Sequence, residues 1–298
     1  MAINSFEVTK RFTENLDKKF VQKSVTSFLE DNALRTKFVG TKQVSIPDVA
    51  FAGLVNYDKD TGFARGAITV EDKVFQLSMD RARSLSLDRM DDDESGVAGL
   101  AGKILGEYVR TKVVPECDAY VLSKLFSFAS AASNTEVYIA GKEYEQFKNL
   151  EVKVRDKVGY DEELVAFVHS DFYAALSNSP EISRYITVSD FKKGEINTTV
   201  KSLNGIALIP VTSERMKSAY TFETSGVGGF SPNGGAKAIE LMIMPKSGAH
   251  LVKKTEKMRV FTPDQNLDAD AYKFDYRVYY DVFVKKSEEE SIQALYAE

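Results

Sequence analysis

The chain has 298 residues, 43% of them hydrophobic and 28% charged, enough apolar material for one large domain or two ordinary ones and too much for disorder. Its formal net charge is −5 with no Lys/Arg cluster, which argues against tight binding to nucleic-acid phosphates. Cys117 is the one cysteine, which excludes an intrachain disulfide and a cysteine-based zinc site and suits a reducing compartment.

In chain order, residues 1–36 carry Phe12, Leu16, Phe20, Val21, Val25, Phe28 and Leu29 at spacings of mostly three or four, which predicts an amphipathic helix. With few apolar partners nearby in sequence, it is expected to dock on the body or on a neighbouring subunit. The same N-terminal stretch lacks an apolar signal core, and no run approaches the ~18 residues of a membrane span. From Val44 to about Met79 the pattern turns to strand: VSIPDVAFAGLV and FARGAITVEDKVFQLSM flank the turn-rich NYDKDTG, giving a long hairpin. An isolated two-stranded ribbon is marginally stable in water, so this one is expected to lie across another surface.

Asp91–Ser95 provide helix-start residues, and Val97, Leu100, Ala101, Ile104, Leu105 and Tyr108 then form one apolar stripe. Gly99, Gly102 and Gly106 each cost ~1 kcal/mol of helix propensity relative to alanine, which fits a close backbone approach. A kink or break is expected near Pro115, followed by a second helical pattern through Tyr120, Leu122, Leu125 and Phe126. Residues 134–250 read as a separate α/β region. It has a helix over Lys142–Val158, a buried strand at 165–170, a short helix capped by Ser170 and running through Leu176, and strands at Ile206–Val211 and Ile239–Met244. Ser225–Lys237 is a Gly-rich surface loop. Strands at Met258–Phe261 and Tyr272–Val284 close the chain, and one sheet packed on the Leu100 helix is the economical arrangement.

No catalytic, cofactor-binding or metal residue is assigned. GVGGFSPNGG (226–235) has the glycines of a phosphate loop, but Lys237 follows Ala236 and leads into a strand, where a P-loop needs Gly-Lys-Ser/Thr opening a helix. Asp58, Asp60 and Gly62 suggest part of a calcium loop, yet Thr69 stands where the bidentate glutamate belongs, so a turn is expected. Asp91, Asp92, Asp93 and Glu94 read as acids complementing a helix start. His169 lies beside Ser170 and Asp171, which permits a nucleophile–base pairing on paper; for His169 and His250 alike, a partly buried packing role is expected. Cys117 reads as a small packing residue.

Taken in order, these features resemble a tailed-bacteriophage major capsid protein with the Hong Kong 97-type coat fold. The segments that carry the likeness are the hairpin at 40–80, LDRMDDDES leading into the helix at 96–112, and TKVVPECDAYVLSKL. They continue with LVAFVHSDFYAALSNSPEISR, GIALIPVTSERM and VFTPDQNLDADAYKFDYRVYYDVFV. The resemblance implies an α+β fold divided into an N-terminal arm (1–38), an extended hairpin loop (39–90), a peripheral domain with a long spine helix (91–133), an axial domain (134–250) and return strands of the peripheral domain (251–298). It implies self-assembly as hexamers and pentamers into an icosahedral head around double-stranded DNA held without sequence-specific contacts. A scaffolding protein, a portal and decoration proteins are the implied partners, no membrane is involved, and the location is the virion after assembly in the host cytoplasm. Two alternatives stay open: an encapsulin-like nanocompartment shell, and a nucleotide-binding enzyme using loop 226–237.

Overall fold

The structure, a computed structural model, describes residues 24–30, 37–39, 42–57, 59, 62–63, 65–89, 106–179, 186–193, 196–224 and 226–298. A short strand β1 (Lys37–Val39), β2 (Gln43–Phe51) and β3 (Ile68–Gln76) form an antiparallel ribbon, followed by β4 (Met79–Asp88). A π-helical turn, Val109–Val113, runs directly into α1 (Val114–Ala131). Next come β5 (Thr135–Val137), α2 (Glu143–Val158), β6 (Leu164–His169), α3 (Ser170–Asn178), β7 (Ile186–Lys193), β8 (Ile196–Leu203) and β9 (Ile206–Val211). The chain ends with β10 (Tyr220–Phe222), β11 (Phe230–Pro232), β12 (Ala238–Pro245), β13 (His250–Phe261), β14 (Ala271–Phe283), α4 (Lys286–Glu289) and β15 (Gln293–Ala297).

A mixed sheet of order β5-β15-β12-β6-β9-β8-β7 forms the middle layer. Its central strand LVAFVH is buried at every position because both faces are covered. Val165 and Phe167 face the core around α1, while Leu164, Ala166 and Val168 face α2 and α3. On β12 a register shift between Ile239 and Leu241 moves these two residues onto opposite faces, as one extra residue in a ladder must. α2 turns Phe147, Leu150 and Val154 into the second core, a stripe at helical spacing, with acids in its first turn and Arg155 and Lys157 in its last.

α1 lies between this layer and a three-stranded antiparallel sheet of order β13-β14-β4. That double burial explains why most of its side chains, from Val114 to Ala129, are inaccessible. The expected break at Pro115 takes another form. Proline cannot donate to the helix ladder and crowds the carbonyl one turn earlier. The preceding turn widens instead, with the Val114 N–H reaching Val109 O, and the backbone stays right-handed helical through Val113 and Val114.

Several expectations hold: the hairpin, the helices at 143–158 and 114–131, and the strands near 165, 206, 239, 258 and 272. Others change. The C-terminal strand β15, which the sequence reading does not place, inserts between β5 and β12. β7 and β8 fall where the sequence reading places no strand. β4 continues past Met79 and pairs along its length with β14 rather than with the ribbon. The predicted N-terminal helix lies outside the described residues up to residue 23, and its described part at Val25, Phe28 and Leu29 is a bend and a 3-10 turn in place of an α-helix. The stripe from Val97 to Leu105, Asp58, Asp60 and Asp91 to Glu94 also lie outside the described residues. The described part of the N-terminal stretch, Ser24–Glu30, docks on the body, where Phe28 and Leu29 are buried and the Phe28 ring stacks 6.0 Å from that of Phe167.

Candidate assembly surface

The paired section of the β2–β3 ribbon spans nine residues on each strand, about 30 Å of reach at strand rise. In an antiparallel ladder, residues directly opposite share a face, and alternate residues take opposite faces. The register pairs Val44 with Phe75 and Ile46 with Lys73 on one face. At the ribbon's root that face is seated: Val44, Ile46 and Leu77 are buried with Val252, Tyr279 and Phe283, and the Phe75 and Phe283 rings meet at 4.9 Å. The opposite face carries Phe51, Ile68, Val70 and Val74, all exposed. Beyond the paired section Leu54, Val55, Tyr57 and Phe63 are exposed too, with Phe63 at 89% and Leu54 fully accessible. The Tyr57 and Phe63 rings pack edge to face at 5.2 Å, so the end of the ribbon carries an aromatic pair of its own. Large apolar side chains exposed on one face and at the tip of a ribbon in this way mark an interaction site.

Two fully buried carboxylates anchor the chain's outlying segments. Asp118 on α1 accepts hydrogen bonds from Ser24 Oγ (2.7 Å), Thr26 Oγ1 (2.7 Å) and the Val25 and Thr26 backbone N–H groups, and pairs with Arg215 at 3.1 Å. Glu30 adds an ion pair to Lys253 on β13 at 2.8 Å. Asp281 on β14 accepts from the Ser78 N–H (2.9 Å), Ser78 Oγ (2.8 Å) and Tyr120 OH (2.8 Å), and pairs with Lys124 of α1. Buried charge is tolerated only when paired and hydrogen-bonded, and both sites meet that requirement. Sequence reading missed both. The available signal was an acid inside an apolar run, as in YYDVFV and ECDAYV.

The Gly-rich loop is also an anchored structure. Arg81 donates to the carbonyls of Glu223 (2.7 Å) and Gly229 (3.3 Å), and Arg83 to that of Gly226 (3.0 Å), while Arg81 pairs with Glu116 at 2.5 Å. Part of the stretch expected to be a plain loop is the strand β11, whose Phe230 packs with Tyr220 and Phe222. A phosphate site needs converging N–H groups at a helix start. Here the loop aims carbonyl oxygens at arginines and leads into β12, so the nucleotide-loop alternative lacks its geometry.

His169 is fully rather than partly buried, and it caps α3 in place of Ser170: its Nδ1 accepts the Asp171 N–H at 3.2 Å. Ser170 Oγ donates to Val211 O at 3.1 Å, so the imagined nucleophile–base pair is not assembled. Glu240 approaches His169 Nδ1 at 3.6 Å, and burial raises its carboxyl above the ordinary glutamate value. His250 is buried 4.0 Å from Glu288. Cys117 is buried as expected, and burial pushes its thiol up to about 12. Gly62 has φ +76°, the turn conformation expected there. Among the described residues no group of three His, Cys, Asp or Glu side chains is placed to hold a metal, and no helix is long and apolar enough to cross a membrane.

No protein-family model matches the chain, and no curated protein matches its sequence. Its three-dimensional likenesses are extensive. The mature capsid of bacteriophage PhiM1 matches with a TM-score of 0.57 at 14% identity, over 86% of this chain and 82% of that one. A structure of Mycobacterium phage Che8 matches with a TM-score of 0.58 at 12% identity, over 91% and 90%. A virus-like particle from Pyrococcus furiosus matches with a TM-score of 0.54 at 9% identity, over 98% and 100%. Identities this low speak to fold, and the layers, the buried helix α1 and the outreaching ribbon agree with it: the chain has the α+β Hong Kong 97-type fold of tailed-phage capsids.

Proposed function

We propose that this chain is the major coat subunit of a tailed phage, assembling as hexamers and pentamers into an icosahedral head around double-stranded DNA. The observation that carries the reading is the ribbon, which has one face seated at its root and an opposite face of Phe51, Ile68, Val70 and Val74 uncovered among the described residues. Obligate interfaces bury about 2,000–5,000 Å² and are relatively apolar, and an outreaching ribbon supplies such area without enlarging the globular core. In this reading residues 1–38 act as an arm, 39–90 as the extended loop whose β4 returns into the body sheet, 91–133 and 251–298 as the peripheral domain whose last strand β15 joins the seven-stranded sheet, and 134–250 as the axial domain. The rigid plate is α1 between its two sheets, and repeated head-to-tail contacts close the rings. The mildly acidic composition fits a shell that encloses DNA without binding it tightly. Scaffolding, portal and decoration proteins complete the proposed partners, and the virion, after assembly in the host cytoplasm, the proposed location.

Negative-stain microscopy of the purified protein tests this: closed shells support it, and discrete small particles at every concentration refute it. Deleting residues 45–78 is expected to leave soluble subunits, and normal shells from that deletion would overturn the interlocking role. The likeness to the Pyrococcus furiosus virus-like particle, at 9% identity, bears on fold alone and lends weak support to one second reading, a shell around protein cargo. Nucleic acid inside native particles supports the phage head, and enclosed enzyme supports the second reading.

A further inference from the structure

The ribbon and the three-stranded sheet of the body are separate sheets joined by Leu77–Ser78, two residues that belong to neither. The chain leaves β3 at Gln76 and enters β4 at Met79, so the ribbon's direction depends on how those two residues are held. Leu77 is held by backbone and ring groups: its N–H reaches Lys42 O at 2.9 Å, and its carbonyl accepts Tyr279 OH at 3.0 Å. Ser78 is held by one carboxylate and by Tyr120, whose OH lies at hydrogen-bond distance, 2.9 Å, from Ser78 Oγ. Both its N–H and its Oγ donate to Asp281 Oδ2, while Asp281 Oδ1 takes Tyr120 OH and Lys124, and the Val282 N–H at 2.7 Å. Lys124 Nζ is further held over the Phe283 ring at 5.5 Å, the same ring that packs on Phe75 at the ribbon's root. Helix α1, strand β14 and the ribbon junction therefore meet at a single side chain with no exposed surface.

We propose that Asp281 is a positioning residue for the assembly ribbon: its carboxylate, braced by Tyr120 and Lys124, latches Ser78 and so fixes the direction in which the ribbon leaves the body. This rests on the coat-subunit reading only for its consequence. With the latch closed, every copy presents its outward face at one angle. With it weakened, the ribbon swings about Leu77–Ser78 and copies meet their neighbours at variable angles. Ser78→Ala keeps the backbone bond and removes the hydroxyl's contacts to Asp281 and Tyr120, and Tyr120→Phe removes one brace on Asp281 and its contact to Ser78 without emptying the core. Both are milder than Asp281→Asn, which leaves Lys124 without its counter-charge.

The test is amide hydrogen exchange on the full-length chain, kept dilute and unassembled, paired with microscopy after concentration. In Ser78→Ala and Tyr120→Phe, amides at the root (Val44, Phe75, Leu77) are expected to exchange roughly tenfold or more faster, since a hydrogen bond to a charged group is lost or weakened. Amides of β6 and β12 should stay as in the parent chain, and the shells should become irregular in curvature. Unchanged root exchange in both variants, or equal loosening of β6, β12 and the root, would overturn the latch. Root loosening with no shells from any chain, the parent included, would uphold the latch and sink the coat reading. Regular shells from all chains with unchanged exchange would do the reverse.

Discussion

At the scale of single residues, the two fully buried aspartates among the described residues are saturated with donors. Asp118 and Asp281 each collect several donors and a cation, and each ties together segments roughly one to two hundred residues apart in sequence. Glu240 is different. It is buried beside the His169 ring, whose Nδ1 already accepts a backbone N–H, and burial raises its carboxyl. A carboxyl raised above its unfolded value of 4.5 binds its proton more tightly in the folded state. The stability it gives is complete below that value and is lost as pH rises through the folded value. Glu240→Gln should therefore gain on the parent chain between pH 4 and pH 8 in denaturant titrations, and a gap independent of pH would contradict the cause assigned. Cys117, with its thiol pushed up to about 12, holds almost no thiolate at pH 8. A disulfide reagent should label it only as the chain unfolds, at a rate that follows denaturant concentration, and rapid labelling of the native protein would show the site to be open.

At the scale of elements, the π turn before Pro115 makes a distinct prediction. A proline straining a helix interior costs ~3 kcal/mol relative to alanine. Here Val109–Val113 have already widened to clear it, so Pro115→Ala should change the unfolding free energy by about 1 kcal/mol or less. A gain near ~3 kcal/mol in chemical denaturation would mean the turn relieves nothing. The same elements show what was readable beforehand. LVAFVH, the Phe147–Leu150–Val154 stripe and the alternation on the ribbon state their environment directly, because each face of those elements meets a single kind of surroundings. β8 was missed although Asn204–Gly205 marks its hairpin to β9, both with positive φ, as a tight two-residue turn requires. β4 was missed because an edge strand with one half-buried face gives only the weak pattern of Leu85 and Leu87 in a polar run. The carboxylate anchors were invisible for a different reason. Asp281 and Ser78 are 203 residues apart, and no local periodicity encodes a contact between them.

At the scale of the whole molecule, the two faces of one ribbon should separate stability from assembly. The seated face is part of the folded subunit. Val44→Asp would bury an unpaired charge among Val252, Tyr279 and Phe283, so it should destabilise the chain by several kcal/mol and lower the unfolding midpoint accordingly. The outward face has no such part in the subunit. Ile68→Glu with Val70→Glu changes two residues at 69% and 65% exposure, and surface changes of that kind fall within about 0.5 kcal/mol. That double variant should melt like the parent chain and fail to form shells, because two charges now enter an apolar contact between copies. The decisive comparison is calorimetry and microscopy on the same preparations. Shells from the double variant would mean that the outward face contacts no neighbour. A lowered midpoint in that variant would mean that the face is already covered within the subunit, and either result removes the ribbon from the assembly mechanism.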